Sequence, residues 1–313
     1  MQIETSATHD VIIGGGPAGL SAAVALARFR RSVAVVDAEE QRNLPASGIH
    51  NFLTREGISP TEFLAAGRAE AAGFGARFVD GSVATIRRSD AGFRVELADG
   101  SVLAVRRVLV ATGLVDELPE IDGLRERWGR DVIHCPYCHG WEVRGRKIGI
   151  IATGPGALVQ AQMFRQLTDD LTVFTNGVKF TADDLEPLNA RAIKVIDGVV
   201  HSLRIADDRL AGVVFAEGGT APAETIVIGA PVRARADVLS ALGLVTSPHP
   251  QGDWVESEPS GATVDGVWLA GNVTDASATV VSAAAAGLAA AAALNNDLLA
   301  EEVTEALRAY RAS

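Results

Sequence analysis

The chain has 313 residues and two cysteines, which stand three positions apart in Cys135-Pro136-Tyr137-Cys138. Two cysteines cannot build the disulfide framework of a small secreted domain. A lone CxxC beside strand–helix–strand sequence reads instead as redox chemistry. At a helix start the first thiol of such a pair faces free N–H groups and the positive end of the dipole, which favour the reactive thiolate. Pro136 tightens the turn between the two. His139 follows Cys138 directly, in the run Cys138-His139-Gly140-Trp141-Glu142. Imidazole titrates near neutrality, so His139 is a candidate acid–base for thiols, against the alternative of a hydrogen-bonded helix residue. His134 has only its adjacency to Cys135 to support it, and His50 is in the same position. Tyr137 and Trp141 suit either an apolar substrate pocket or aromatic core packing.

Other uses of these residues are weaker. Cys135 to His139 spells the CxxCH of covalent haem attachment, but that chemistry generally occurs outside the cytosol and no export signal is visible. Zinc on His134, Cys135, Cys138 and His139 would need ligands adjacent in sequence to converge on one tetrahedral ion, with no second ligand pair elsewhere. An inert buried pair of cysteines remains open. A purely structural disulfide would close too short a loop to constrain the unfolded chain much.

The elements that must position a redox pair are visible on either side of it. Asp10-Val11-Ile12-Ile13 is a short apolar run that enters Gly14-Gly15-Gly16-Pro17-Ala18-Gly19. An alanine-rich helical pattern follows over 20–29, then a second apolar run over 32–36 that ends at Asp37. Strand, glycine turn, helix, strand and acid form the dinucleotide-binding fingerprint in its required context. Gly14 allows the tight turn, Gly16 lets the backbone approach a pyrophosphate, and Gly19 lets helix and strand pack closely. The helix N-terminus offers N–H groups to phosphates, and Asp37 can accept from ribose hydroxyls. A second unit of this kind starts at Lys147–Ile151, turns at Thr153-Gly154-Pro155-Gly156, and continues as a helix over 157–167 and a strand over 171–174. Val108 to Gly113 and Gly266 to Asn272 each read as a strand entering a turn, and a helix is expected over 276–294, capped by Thr274 or Asp275. One nucleotide-binding-like unit is thus inserted into another, with boundaries expected near Val115 and Arg235.

Composition narrows the partners. Hydrophobic residues make up 48% and charged residues 21%, an ordinary globular mixture. A net charge of −11 repels phosphate backbones, which argues against nucleic acid. The N-terminal residues 1–10 carry no basic or apolar signal region. The most apolar stretch, 276–294, is mostly alanine interrupted by Gly287, so a packed helix is expected rather than a membrane span. A cytoplasmic protein is expected.

Taken together, the Gly14/Gly16/Gly19 fingerprint, Asn51 in Ile49-His50-Asn51-Phe52, Ala111-Thr112-Gly113, the CxxC at the head of the inserted unit and Gly271-Asn272-Val273-Thr274-Asp275 resemble the low-molecular-weight thioredoxin reductase family. The resemblance covers almost the whole chain. It implies an α/β fold of two Rossmann-like dinucleotide-binding domains, the second inserted in the first. Residues 1–115 and 236–313 would form the FAD domain, and 116–235 the inserted NAD(P)-binding-like domain carrying the dithiol. It also implies a homodimer, with Gly14, Gly16, Pro17, Ala18, Gly19, Asp37, Asn51, Thr112, Gly113, Gly271, Asn272 and Thr279 at the flavin. Cys135 would exchange with substrate while Cys138 faces the flavin. The N-terminus of the alanine-rich helix would point at the flavin's pyrimidine edge, where its dipole stabilises the anionic reduced ring.

Three departures redirect the functional expectation. Family reductases follow the CxxC with Asp, and here His139 stands there. The string Cys135 to Glu142 resembles flavin dithiol oxidases that close disulfides in small natural products such as gliotoxin and holomycin. About 20 residues past Gly156, where a basic residue would meet the NADPH 2′-phosphate, stands Asn176. Asn272 replaces the usual Asp, and Thr279 stands where reductases carry Gln. The expected reaction is oxidation of a small-molecule dithiol to an intramolecular disulfide with dioxygen as acceptor. The alternative is a thioredoxin-type disulfide reductase driven by NAD(P)H or ferredoxin; a flavin scaffold without turnover is a third reading, weakened by the intact CxxC.

Overall fold

The computed structural model describes residues 9–313. The stretch ahead of position 9, which the absence of a signal region concerns, lies outside the described residues. In chain order the first elements are β1 (His9–Ile13), α1 (Pro17–Arg28), β2 (Val33–Asp37), α2 (Pro60–Gly73), β3 (Arg77–Asp80), β4 (Val83–Ser89), β5 (Gly92–Leu97), β6 (Val102–Val110) and β7 (Leu114–Asp116). Then come β8 (Val132–Ile133), α3 (Pro136–His139), β9 (Ile148–Ile151), α4 (Gly156–Phe164), β10 (Leu171–Phe174), α5 (Ala182–Ala190), β11 (Lys194–Ile196), β12 (Val200–Ala206), β13 (Arg209–Phe215), β14 (Thr220–Ala221) and β15 (Thr225–Ile228). The chain closes with β16 (Val232–Ala234), β17 (Ser247–His249), β18 (Gly252–Trp254), β19 (Val267–Leu269) and α6 (Val280–Ala312).

Two compact units result. The first holds residues 9–44, Pro60–Val115 and Val232–Ser313; the second holds Pro45–Ser59 and Asp116–Pro231. In the first, a sheet of order β3-β2-β1-β6-β5-β4 takes β19 onto β6. Its β1, β2, β3, β6 and β19 run parallel, and β4 to β6 form an antiparallel meander. β1 and β2 are apolar on successive residues because both faces of the parallel part are covered. Ile12, Val33 and Val35 join one core with α1 and α6, while Ile13, Ala34 and Val36 join another with Phe93 and Val95. The second unit has a parallel sheet of order β11-β10-β9-β15-β8 and an antiparallel β12-β13-β14. This is the expected α/β architecture of the thioredoxin reductase-like fold.

Three expectations about boundaries differ from the structure. Residues 45–59 were expected with the outer domain, but group with the second unit, because Ile49 bridges Ile58 and Asn51 bonds to the carbonyl of Tyr137. The second unit returns to the first at Pro231 rather than 235. The last helix starts at Val280, with Thr279 rather than Thr274 or Asp275 as N-cap, and runs to Ala312. It starts late because the Asp275 carboxylate accepts from the N–H (2.8 Å) and hydroxyl (2.6 Å) of Ser277, making a turn that competes with the helix. It runs long because distant arginines hold its second half: Arg107 pairs with Asp297 (2.6 Å) and Glu301 (2.9 Å), and Arg31 bonds Asn295 (2.7 Å) and Glu302. By length and composition α6 could cross a membrane, but Ala283, Gly287, Ala290, Ala291, Leu294 and Leu298 are buried in the protein. A side chain at Gly287 would collide with the backbone of Ala18, so α6 packs on α1 at glycine distance.

Candidate active site

The glycine turn of the first unit is built by close approach. Gly14 has φ +108°, and a Cβ there would strike the Ala111 carbonyl. A Cβ on Gly19 would strike the carbonyl of Gly14, so α1 lies against the turn as only glycine allows. Gly16 differs: it N-caps α1 with ordinary extended backbone (φ −77°, ψ −177°), and the nearest atom to a Cβ there is Cγ of Gln41 at 3.9 Å. The space ahead of the helix is open, with Pro17 at the first helical position and Ala18 and Gly19 buried behind it. That is a phosphate cradle in which backbone N–H groups and the dipole supply the attraction.

Asp37 ends β2 and is 6% exposed. Its Oδ1 accepts from the N–H of Gly15 (3.2 Å), the N–H of Glu39 (3.1 Å) and the amide of Gln41 (2.9 Å), and Arg68 stands 3.5 Å from Oδ2. The acid expected at a ribose therefore also braces the turn beneath it. Sequence reasoning did not single out Gly15 and Gln41, whose part depends on where Asp37 lands. Thr112 and Gly113 follow β6; the Thr112 hydroxyl donates to the Arg235 carbonyl (2.6 Å), and Gly113 turns at φ +72°. Gly271, at φ +79°, would bring a Cβ to 3.0 Å from that of Ala18. The Asn272 amide donates to the carbonyls of Asp275 (2.9 Å) and Ala278 (3.0 Å). An Asp there could donate to neither, which gives this departure from the family pattern a structural reason. Thr279 shares a hydrogen bond with Ser282 (3.0 Å).

The dithiol belongs to the second unit. Cys135 and Cys138 form a disulfide with Cα atoms 5.2 Å apart. Cys135 N-caps α3, and its Sγ accepts from the N–H of Cys138 at 3.2 Å. A thiolate released at Cys135 would keep this donor, which favours its charged form. Pro136 takes the first helical position. Gly140 closes the turn where any Cβ would strike the Pro136 carbonyl. Tyr137 is 70% and Trp141 66% exposed, so neither packs in a core. Arg144 lies over the Trp141 ring at 3.9 Å. The carbonyl of His134 accepts from Gln160 (3.1 Å) and its ring stacks on Trp128.

His139 has both ring nitrogens buried without a hydrogen-bond partner among the described residues. Burial pushes its pKa below the ordinary imidazole value; the nearby His50 adds to this, and Glu142 opposes it. A neutral imidazole beside the cysteines is suited to accept a proton. The structure brings His50 to it as well, with the two rings edge to face and centroids 6.4 Å apart. Asn51, expected at the flavin, sits in the same loop at φ +59° and donates its amide to the carbonyl of Tyr137. The sequence signal for this loop was weak: His50 and Asn51 stand more than 80 positions before the dithiol, and nothing local marks Glu56, which holds them both.

The second nucleotide-like turn follows β9. Asn176, after β10, adopts φ +49°; its amide donates to the Ala152 carbonyl (3.3 Å) and its oxygen accepts from the N–H of Val200 (3.0 Å). The side chain is thus engaged in bracing this turn.

Residues 8–287 match the family model of pyridine nucleotide-disulphide oxidoreductases. Thioredoxin reductase tcpT of Claviceps purpurea (strain 20.1) is 31% identical over 84% of this chain and 85% of its own length. Thioredoxin reductase sirT of Leptosphaeria maculans is 29% identical over 84% and 85%. Among solved structures, HlmI aligns at TM-score 0.93 and 44% identity, covering 99% of this chain and 98% of HlmI. An oxidoreductase from Agrobacterium tumefaciens aligns at 0.88 and 37%, covering 94% and 99%. FAD is the cofactor of this thioredoxin reductase-like family, and the open space before Gly16, framed by Gly14, Gly19 and Asp37, fits its pyrophosphate and ribose. Two nucleotide-type folds and a helix-capping disulfide followed by histidine agree with these likenesses: the chain belongs to the pyridine nucleotide-disulphide oxidoreductase family, as a thioredoxin reductase-like flavin thiol–disulfide oxidoreductase.

Proposed function

We propose that this enzyme oxidises a small-molecule dithiol to its intramolecular disulfide, with dioxygen taken to hydrogen peroxide. The observation that carries the reading is His139: the residue after the CxxC is a half-buried imidazole, its two ring nitrogens buried and without a hydrogen-bond partner among the described residues, rather than a carboxylate. Thiolate attack needs a deprotonated substrate sulfur, and a neutral imidazole takes that proton near pH 7 far better than a carboxylate of ordinary pKa. A substrate thiolate attacks Sγ of Cys135, the Cys135–Cys138 bond breaks, and Cys138 leaves as thiolate. The second substrate thiol gives its proton to His139 and attacks the mixed disulfide, releasing Cys135 and a cyclic substrate disulfide. Bound FAD supplies the two-electron route from the reduced cysteines to dioxygen. Within the first unit Gly14, Gly16, Pro17, Ala18, Gly19 and Asp37 would hold its dinucleotide, and Thr112, Gly113, Gly271, Asn272 and Thr279 would complete that side of its site. In this reading the enzyme works as a cytoplasmic homodimer without nucleic acid, membrane or protein substrate.

The names of the relatives favour a second reading, a disulfide reductase driven by NAD(P)H or ferredoxin. Against the NADPH form stands Asn176, which offers the 2′-phosphate no bidentate cationic partner. Oxygen uptake and peroxide formation with a panel of ring-forming dithiols decide between them. Wild type is expected to turn over, and Cys135→Ser and Cys138→Ser are both expected to be inactive, since neither can form the Cys135–Cys138 disulfide that takes the substrate's electrons. If NAD(P)H-driven reduction of a protein disulfide far outruns every dithiol oxidation, the reductase reading wins.

A further inference from the structure

His139 faces an electrostatic problem. A proton accepted from a substrate thiol puts a charge on a half-buried imidazole whose two buried nitrogens have no hydrogen-bond partner among the described residues, which is costly unless the charge is paired or passed on. Three elements bring charged or titratable groups to it. Its own helix, α3, carries Cys135 and Cys138, with His134 just ahead, stacked on Trp128. The turn after α3 brings Glu142. The loop 45–59 brings His50, with Nε2 3.6 Å from Oε1 of Glu142. On its other side, Nδ1 of His50 lies 2.6 Å from Oε1 of Glu56, whose side chain is 66% exposed. The second oxygen of Glu56 accepts from the N–H of Asn51 at 2.8 Å. One carboxylate therefore fixes both residues through which this loop reaches the dithiol: the His50 ring, and Asn51 on the Tyr137 carbonyl.

We propose that His50 is a relay that moves protons between His139 and solvent, with Glu56 as its outlet and as the anchor that aims it. The inference rests on the reading of His139 as the base of the dithiol site. As the enzyme disulfide opens, His139 takes the substrate thiol proton. His50 accepts it at one ring nitrogen and releases another from the opposite nitrogen to Glu56 and water. No electrons travel this path; each passage leaves His50 as the opposite tautomer, and a turn of its ring restores the starting form before the next proton. In the oxidised site the two rings are not hydrogen-bonded to each other, so His139 must turn toward His50 once charged. The carboxylates of Glu142 and Glu56 lie on that side and pull in that direction. Hydrogen bonds from His50 and then Asn51 hold the Glu56 pKa below the usual carboxylate value, keeping the outlet ionised.

Anaerobic stopped-flow with dithiothreitol tests the relay through the pH dependence of flavin bleaching in wild type, His50→Gln, Glu56→Gln and His139→Ala. Dithiothreitol opens the enzyme disulfide whichever substrate the enzyme serves. Failure of the relay is thus separate from failure of the dithiol-oxidase reading, which oxygen uptake scores. His50→Gln keeps a polar partner for Glu56 but cannot relay. It is expected to bleach about tenfold or more slowly, with half-saturation and FAD content unchanged, an altered pH profile and recovery in added imidazole. Glu56→Gln is expected to lose less, in the same direction. Wild-type rates at every pH in both variants, with His139→Ala slow, would overturn the relay. So would a slow His50→Gln whose loss is equal at every pH and untouched by imidazole, because that marks a structural role.

Discussion

The two nucleotide-type turns of this chain start alike and end differently. After β1, Gly14 and Gly19 are pressed against backbone, Gly15 against the Asp37 carboxylate, and only Gly16 faces open space. After β9, Gly154 and Gly156 have no atom within 4 Å of a Cβ among the described residues, and the position of the third glycine is Val159, 63% exposed. The first β2 strand ends in Asp37, whose carboxylate braces the glycine turn. Its counterpart β10 leads to Asn176, whose amide is spent on Ala152 and Val200. The first turn is shaped so that one glycine alone is left for a ligand to approach. The second keeps the supersecondary outline, and its close packing lies elsewhere, where Gly149 leaves room for the Phe174 ring. The lesson is that a glycine's meaning lies in what its missing side chain would hit.

The largest effect expected from this contrast is on cofactor retention. Gly16→Val has permitted backbone angles and room for its side chain, so the protein is expected to fold but to purify without FAD. Gly156→Val is equally unobstructed, and is expected to keep FAD and dithiol turnover. Flavin released on denaturation, per mole of folded protein, reads both. Retention of FAD by Gly16→Val would remove the pyrophosphate from this turn.

A smaller effect concerns the nicotinamide. With Asn176 engaged in bracing its own turn, NADPH is expected to reduce the flavin on the order of a hundredfold more slowly than a good dithiol, the size of a missing charge-assisted phosphate contact. Rapid anaerobic bleaching at micromolar NADPH would show that the second turn binds the nucleotide by other means and would erase the contrast.

The parts of this design visible in sequence are those with local causes. The glycine spacing, the alanine-rich α1, the apolar β1 and β2, and the strand–turn–helix–strand from Ile148 to Phe174 all depend on neighbours a few positions away. The Cys135–Cys138 disulfide was legible because the two cysteines of the chain stand three positions apart. The loop carrying His50, Asn51 and Glu56 was not, since its closure by the Ile49–Ile58 bridge and its hold on Tyr137 join segments far apart in the chain. The start of α6 was misplaced because Asn272 and Asp275 spend their side chains on the loop before it. Its length was missed because Arg31 and Arg107, which hold its second half, come from elsewhere.

The smallest effect separates the two leading strands near their starts. Near their starts β1 and β9 make equivalent backbone bonds, Asp10 N–H to Ser32 (2.8 Å) and Ile148 N–H to Asp170 (3.0 Å). Yet where β9 buries an isoleucine, β1 buries a carboxyl that is 3% exposed. Oδ1 of Asp10 has no hydrogen-bond partner among the described residues, and Arg106 comes no nearer than 3.8 Å to it. Burial is the dominant influence and raises the pKa from 3.8 to about 6, against the pull of Arg106, Arg31 and Arg107 and with a push from Glu302. Between those two values the folded chain holds a proton that the unfolded chain has released. Stability contributed by this group therefore rises as pH falls from 6 toward 4, and its full cost is present above 6. Asp10→Asn removes the charge. At neutral and mildly alkaline pH it is expected to stabilise the FAD-loaded protein by about 1–3 kcal/mol, the order set by a shift of this size. The gain should shrink as pH drops through 6 and vanish near 4. Urea midpoints measured across that range check it. If wild type and Asp10→Asn run parallel at all pH values, Asp10 stays ionised in the fold and its arginines compensate for the burial in full.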